Sequence, residues 1–354
     1  MQTFAFLIHP LSIEDVAKKY KIAKRVSPRV VGQVLRRRPP FVISEIEGIV
    51  SATGERAIGW FVVVPLLPVQ FTKLKEDTVL ERLAKACKLA KKEGAKIVGL
   101  GAFTAMPGNG GEKLAKMVKV PITTGNTYTT TTAIQGSLKA AELMEIDPSR
   151  ATLAIVGAAG SIGSACAEIM APQFARVLLV GRNRQRLTEV AVTVKTAGGG
   201  GAELTSSVSD AVSQADVIVT VTGAVGSVIE PKDIKSGAIV CDVARPRDVS
   251  RLVGEMRKDV LVIDGGIVKP PGNVDFNVDF GPPPGLCEGC IGETIILALE
   301  GRYENYTIGK NITVAKVAEM KTLAVKHGFE LAGLRRMETL ISPEQIRAVR
   351  EAAR

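Results

Sequence analysis

The segment AIVGAAGSIGSA, residues 154–165, limits the architecture more than any other stretch of the chain. An apolar strand runs into three glycines spaced three apart, Gly157, Gly160 and Gly163, and from there into a helix. The first glycine permits a tight turn, a missing Cβ lets the backbone approach a pyrophosphate, and the third glycine allows close helix–strand packing. Phosphates would then rest on the free N–H groups of the helix start, at Ser161 and Ile162, where the dipole favours an anion. A tight turn that holds no ligand would use the same residues, so its surroundings have to decide.

Those surroundings alternate strand and helix. ATLAIVGA and ARVLLVGRN read as strands, followed by SIGSACAEIMAPQF and RQRLTEVAVTVKTA as helices. DAVSQADVIVTVTGA, GAIVCDVA and DVLVIDGG carry three more strands at their apolar cores. The alternation predicts an α/β protein with a central Rossmann-type, doubly wound parallel sheet. The second strand ends in Gly181, Arg182 and Asn183, where an NAD enzyme places an acidic residue for the ribose 2′-hydroxyl. Arginine there, with Arg184 and Arg186 beyond it, suits a 2′-phosphate, so NADPH is the expected cofactor; a basic surface turn is the plainer alternative. Ligands of such sheets bind at the carboxyl ends of the strands. Thr222 and Gly223, Asp242 and Arg245 in DVARPRD, and Asp264, Gly265 and Gly266 in VIDGG are therefore further candidates.

The preceding residues mix the two element types. SIEDVAKKYKIAKRV reads as a helix capped by Ser12, FVISEIEGIVSATGERAIGWFVVVPLL as two strands around a turn, and TVLERLAKACKLAKKEG as an amphipathic helix stopped at Gly94. The division expected is an N-terminal α/β domain over 1–130, an NADP-binding domain over 131–280 and a helical C-terminal segment over 281–354, after the Pro/Gly-rich VKPPGNVDFNVDFGPPPG. The net charge of +10 belongs to the first of these: residues 1–130 hold 21 Lys/Arg against 10 Asp/Glu. This basic excess is a solvated helix face or a docking surface for an acidic partner. Nucleic acid is not expected, since no binding motif and few aromatics are present. The start lacks the marks of a signal peptide and the longest apolar stretch, 57–71, is too short to span a bilayer, so a cytoplasmic protein is expected.

GLCEGCIGETIILALEG, 285–301, holds two of the five cysteines, Cys287 and Cys290. With two histidines and no second cysteine pair, a zinc site is not expected. A thioredoxin-type pair belongs in the first strand–helix turn of a different fold. Two inert buried thiols and one nucleophile stay open. Cys290 precedes an apolar helix, where the dipole and free N–H groups lower a thiol pKa, and a thiolate attacks acyl carbons well.

The chain resembles the long-chain acyl-[acyl-carrier-protein] reductases, the aldehyde-forming enzymes of cyanobacterial alkane synthesis. The likeness rests on VSATGE at 50–55, IVGLGAFTA at 97–105, TTGNTYT at 123–129, the glycine turn, VIDGG, GCIGETIILALEGRYENYTIGKNIT at 289–313 and VKHGFELAGL. The resemblance implies NADPH-dependent reduction of an acyl thioester to a fatty aldehyde, with Cys290 acylated and Glu293 supporting it. It further implies that Asn126 and Thr127 belong to the substrate site. Acyl carrier protein or acyl-CoA would be the donor, an aldehyde-consuming enzyme would follow, and peripheral membrane contact suits a hydrophobic product. Shikimate dehydrogenase and glutamyl-tRNA reductase share the architecture. The first would continue Asn126-Thr127 with an acidic residue, and the second would carry its cysteine in the N-terminal domain, where only Cys87 stands, mid-helix. A non-catalytic NADP-binding protein would keep the glycine turn and Arg182 and tolerate loss of Cys290.

Overall fold

The computed structural model describes residues 1–310 and 312–354. Strand β1 (Gln2–Ile8) is buried on both faces, which is why it reads as a continuous apolar run. Phe4 and Phe6 join the core on one side, Ala5 and Leu7 that on the other. Its parallel neighbours are β3 (Arg56–Val63) and β4 (Val98–Leu100); β2 (Phe41–Val50) runs antiparallel to β3, and β5 (Ile122–Thr123) parallel to β4. The amphipathic helix Glu76–Lys92 covers one face with Val79, Leu83 and Ala86. The helix Gly289–Leu299 covers the other; it is largely apolar and, Cys290 apart, buried along its length.

The second sheet is wholly parallel and consists of β6 (Thr152–Val156), β7 (Arg176–Val180), β8 (Ala202–Thr205), β9 (Val217–Thr220), β10 (Ile239–Asp242) and β11 (Leu261–Asp264). Its order, β11-β10-β9-β6-β7-β8, is the Rossmann order, which reverses between β6 and β9 and opens a crevice there. The doubly wound sheet expected from the strand–helix alternation is thus the fold observed.

The expected boundaries cut across packed elements. Residue 130 lies inside the helix Asn126–Leu143, which gives Tyr128 to the first core and Ala133 and Ala140 to the second. After β12 (Ile267–Lys269), strand β13 (Gly272–Asp275) returns to pair antiparallel with β2, completing the first sheet as β13-β2-β3-β1-β4-β5. β14 (Cys287–Glu288) then pairs with β12. Residues 281–354 form no layer of their own: the helix Gly289–Leu299 belongs to the first sheet, while the helix Pro343–Ala352 places Ile346 in the core of the second. Local signals are clearer. Ser12 and Ser342 cap their helices as expected, accepting from Asp15 N–H and Gln345 N–H, but the first helix ends at Lys19 and resumes as a 3-10 turn, Lys21–Arg25.

Candidate functional site

The glycine turn sits at the reversal point. Gly157 has φ +91°, and a Cβ there would lie 2.4 Å from the Val221 carbonyl oxygen. A Cβ on Gly163 would lie 2.4 Å from the Gly157 carbonyl oxygen, so this glycine sets the helix–strand approach. Gly160 is exposed and free of such crowding: its nearest neighbour would be 3.3 Å away. The helix Ser161–Met170 has no side-chain cap, leaving the N–H groups of Ser161, Ile162 and Gly163 for an anion. These residues fit a pyrophosphate. Arg182 and Arg184 are exposed at the end of β7, the strand beside the turn. Asn183 serves the fold instead: its Oδ1 accepts from Arg186 N–H at 3.0 Å and caps the next helix.

Two expected cofactor segments make contacts within the protein. Thr222 gives both its N–H (2.8 Å) and its hydroxyl (2.5 Å) to Asp248, and a Cβ on Gly223 would strike Met106 Cε at 2.7 Å. Asp264 is bound by Arg247 and by Glu338 N–H. Gly265 and Gly266 face Val243 and Thr132 at distances that admit no Cβ. The VIDGG segment therefore packs the edge strand β11, roughly 14 Å and three strand spacings from β6. Asp242 is likewise structural. It accepts from the N–H groups of Ala244, Asp248 and Val249, and burial pushes its pKa up to about 6.

Cys290 lies in the first turn of the helix Gly289–Leu299 and is the one half-buried thiol; Cys87, Cys166, Cys241 and Cys287 are buried. It lines a cleft of about 1370 Å³ whose walls include Phe6, Ile8, Phe41, Val63 and Ile291, with Lys18, Lys19 and Arg38 among its cations. The helix position does not lower the thiol pKa as expected. Burial pushes it up, and the Glu288 carboxylate adds to this, against the weaker pull of Ile291 N–H and Arg245. Desolvation outweighs the dipole here. No group of three or more metal-type ligands occurs among the described residues, and none of their helices is long and apolar enough to cross a membrane.

Glu293 does not reach the cleft. It is fully buried, and its carboxylate accepts from the hydroxyls of Thr123 (2.5 Å), Thr307 (2.7 Å) and Thr127, and from Tyr128 N–H (3.0 Å). It thereby caps the helix Asn126–Leu143 from a second helix. Thr127 is spent in the same network and is inaccessible to substrate. Asn126 faces the glycine turn instead, its Nδ2 donating to Ser161 Oγ at 2.9 Å. Next to it Gly125, with φ +75°, lies so close to Cys290 that a Cβ would be 2.3 Å from the cysteine Cα. The TTGNTYT segment thus joins the cysteine to the glycine turn.

Sequence reasoning missed three residues lining the cleft. Glu288 was visible only as a letter between the two cysteines. His9, at the end of β1, accepts Phe103 N–H on Nε2 (3.2 Å) and faces the Pro10 carbonyl through Nδ1 (3.0 Å); burial lowers its pKa to about 4. Glu338 meets Arg247 through a 2.5 Å ion pair. No local pattern announces either contact.

The fold and the glycine turn are those of a Rossmann-type dinucleotide-binding unit, and residues 139–264 match the shikimate/quinate 5-dehydrogenase family. Over 309 residues the chain is 29% identical to a long-chain acyl-[acyl-carrier-protein] reductase of Synechococcus elongatus, covering 82% of this chain and 87% of that protein. It is 31% identical over 340 residues to the aminotransferase PigE of a Serratia species; that match takes in 92% of this chain but only 39% of PigE. The chain therefore spans about two fifths of that relative's length. L-tryptophan dehydrogenase from Nostoc punctiforme aligns with a TM-score of 0.40 at 12% identity, over 99% of this chain and 88% of that one.

Proposed function

We propose that the protein reduces a long-chain acyl thioester to a fatty aldehyde, with Cys290 as acyl acceptor and NADPH as reductant. The observation that carries this reading is the Gly125–Asn126 junction. One residue packs against the Cys290 backbone and the next holds Ser161 of the glycine-turn helix, so the thiol and the phosphate-binding turn are set by one rigid segment. The cleft beside Cys290 exceeds the roughly 300–1,000 Å³ of ordinary small-ligand pockets and has apolar walls for an acyl chain. NADPH, when bound on the glycine turn, supplies the hydride that converts the enzyme thioester to aldehyde. Arg182 meets its 2′-phosphate. Lys18, Lys19 and Arg38 draw in the acidic acyl carrier protein or the phosphates of acyl-CoA. Glu293 and Thr127 hold the junction, and Asn126 orients the helix under the pyrophosphate. An enzyme that consumes the aldehyde is the natural downstream partner, and the hydrophobic product suits contact with a membrane surface. The Synechococcus relative bears the name of this reaction.

The test is to incubate the protein with a dodecanoyl thioester, on coenzyme A and on acyl carrier protein, with and without NADPH. The expected result is a dodecanoyl adduct on Cys290 without NADPH, and dodecanal with it. No adduct and no aldehyde from either donor would replace this reading by a dehydrogenase of small polar substrates.

A further inference from the structure

We propose that Glu288 is the proton acceptor for Cys290 during acyl transfer, and that it returns the proton to the departing thiol. This rests on the thioester reading above.

Glu288 and Cys290 line the same cleft. Strand alternation sets their neighbours apart: Cys287 points into the core and is fully buried, so Glu288, next along β14, points the other way and is half-buried. The backbone here is fixed. Glu288 pairs with Ile267 across β12·β14, and Gly289 N–H donates to the Gly266 carbonyl at 2.8 Å. Glu288 is the residue preceding the cysteine helix, yet its side chain does not cap that helix, and it accepts no hydrogen bond from any side chain among the described residues. A carboxylate that neither caps its helix nor pairs with a side chain among the described residues, two residues from a thiol on the same cleft, is available for proton transfer.

The charged surroundings keep it so. Arg245 favours its ionised form, while Arg247, the other cation near it, is already bound to Asp264 and Glu338. Burial is the largest influence and raises the Glu288 pKa, and Glu338, from the turn between Arg336 and Thr339, adds to it. Of the other titratable groups around Cys290, Cys287 is buried, Glu293 is enclosed in its threonine network, and His9 on the same cleft is occupied by Phe103 N–H and the Pro10 carbonyl. Burial raises the pKa of the thiol, so the proposed acceptor takes its proton as the bond to carbon forms. Glu288 takes the proton from Sγ as Sγ bonds to the acyl carbon. The bond from that carbon to the carrier sulfur breaks, and the protonated Glu288 gives its proton to the leaving sulfur. The acyl group has moved, one thiol has replaced another, and no electrons have changed hands.

Two reactions of Cys290 separate proton transfer from charge. Acylation by dodecanoyl-CoA or dodecanoyl-carrier protein, without NADPH, is followed by intact-protein mass; alkylation by iodoacetamide is followed in parallel, and NADPH affinity reports folding. Glu288→Gln is expected to slow acylation about 100-fold, within the range of general base catalysis. It is expected to speed alkylation at neutral pH, since the negative charge that holds the thiol up is gone. Glu288→Asp restores part of the acylation rate. Acylation by Glu288→Gln as fast as the parent, or faster, would overturn the role while leaving the thioester reading intact. A parallel fall of both rates with lost NADPH binding would assign Glu288 to structure. A parent protein that forms no adduct with either donor overturns the thioester reading, and this role with it.

Discussion

Replacing Glu293 by glutamine separates a carboxylate that builds the site from one that works in it. Oε1 accepts from the hydroxyls of Thr123 and Thr307, and Oε2 from the Thr127 hydroxyl and Tyr128 N–H. A glutamine amide keeps one acceptor oxygen and turns the other into a donor. Pointed at Thr123, the NH₂ meets a hydroxyl whose lone pairs already take the N–H groups of Gly125 (3.4 Å) and Thr307 (3.3 Å). Pointed the other way, it faces Tyr128 N–H. Either orientation strands at least one buried donor, at about 1–3 kcal/mol each, and forfeits the charge assistance of the remaining bonds. The expected loss is about 3 kcal/mol, which lowers Tm by roughly 6–12 °C at the sensitivity of larger domains. Two interleaved units need not unfold in one step, so the melting curve is paired with hydrogen exchange at the Tyr128 amide, where protection falls. Unchanged Tm and unchanged Tyr128 protection, with aldehyde formation abolished, would refute the argument and return Glu293 to the chemistry.

Other perturbations test neighbouring steps. Gly125→Ala, forced to φ +75° and 2.3 Å from Cys290, is expected to cost about 2 kcal/mol or more in stability, seen in thermal melts, and to abolish acylation of Cys290. Arg182→Ala should raise the NADPH Kd about tenfold, the loss of one charge-assisted contact, and leave NADH binding unchanged in fluorescence titrations. His9 is neutral in the folded protein down to about pH 4 but takes a proton near 6.5 when unfolded. Stability is therefore full above pH 6.5 and falls as pH drops to 4, by about 3 kcal/mol, a loss absent from His9→Gln in urea titrations across that window. In native protein iodoacetamide should label Cys290 alone, with label on the other four thiols appearing only after denaturation; peptide mapping decides.

The glycine turn was readable because its constraints are local: Gly157 and Gly163 meet backbone atoms within a few residues or on the adjoining strand end. Ser12 and Ser342 were readable for the same reason. Glu293 was not, because its partners lie as far as 170 residues away, and only their convergence turns a helix-face glutamate into a cap. The sign of the Cys290 shift was hidden likewise. Helix position is a sequence property, but desolvation and the direction in which Glu288 points belong to the assembled cleft. Asp264 looked like a strand-end ligand until Arg247 and Glu338 closed on it. β13 was masked by a Pro/Gly-rich stretch whose partner, β2, lies more than 200 residues earlier.

The late return of the chain to its first sheet bears on synthesis. Phe4, Phe6 and Phe61 share a core with Phe276 and with Ile295 and Ile296, so the first third of the chain leaves the ribosome with one face of its sheet uncovered. At roughly 5–20 residues per second, the stretch from 150 to 299 takes on the order of ten seconds to emerge. During that interval the nucleotide unit, which precedes the covering helix, can assemble up to β11 while the older sheet waits. The unit that is first in sequence is then the later one to close, and a nascent chain halted near residue 270 would present its aromatic face to chaperones.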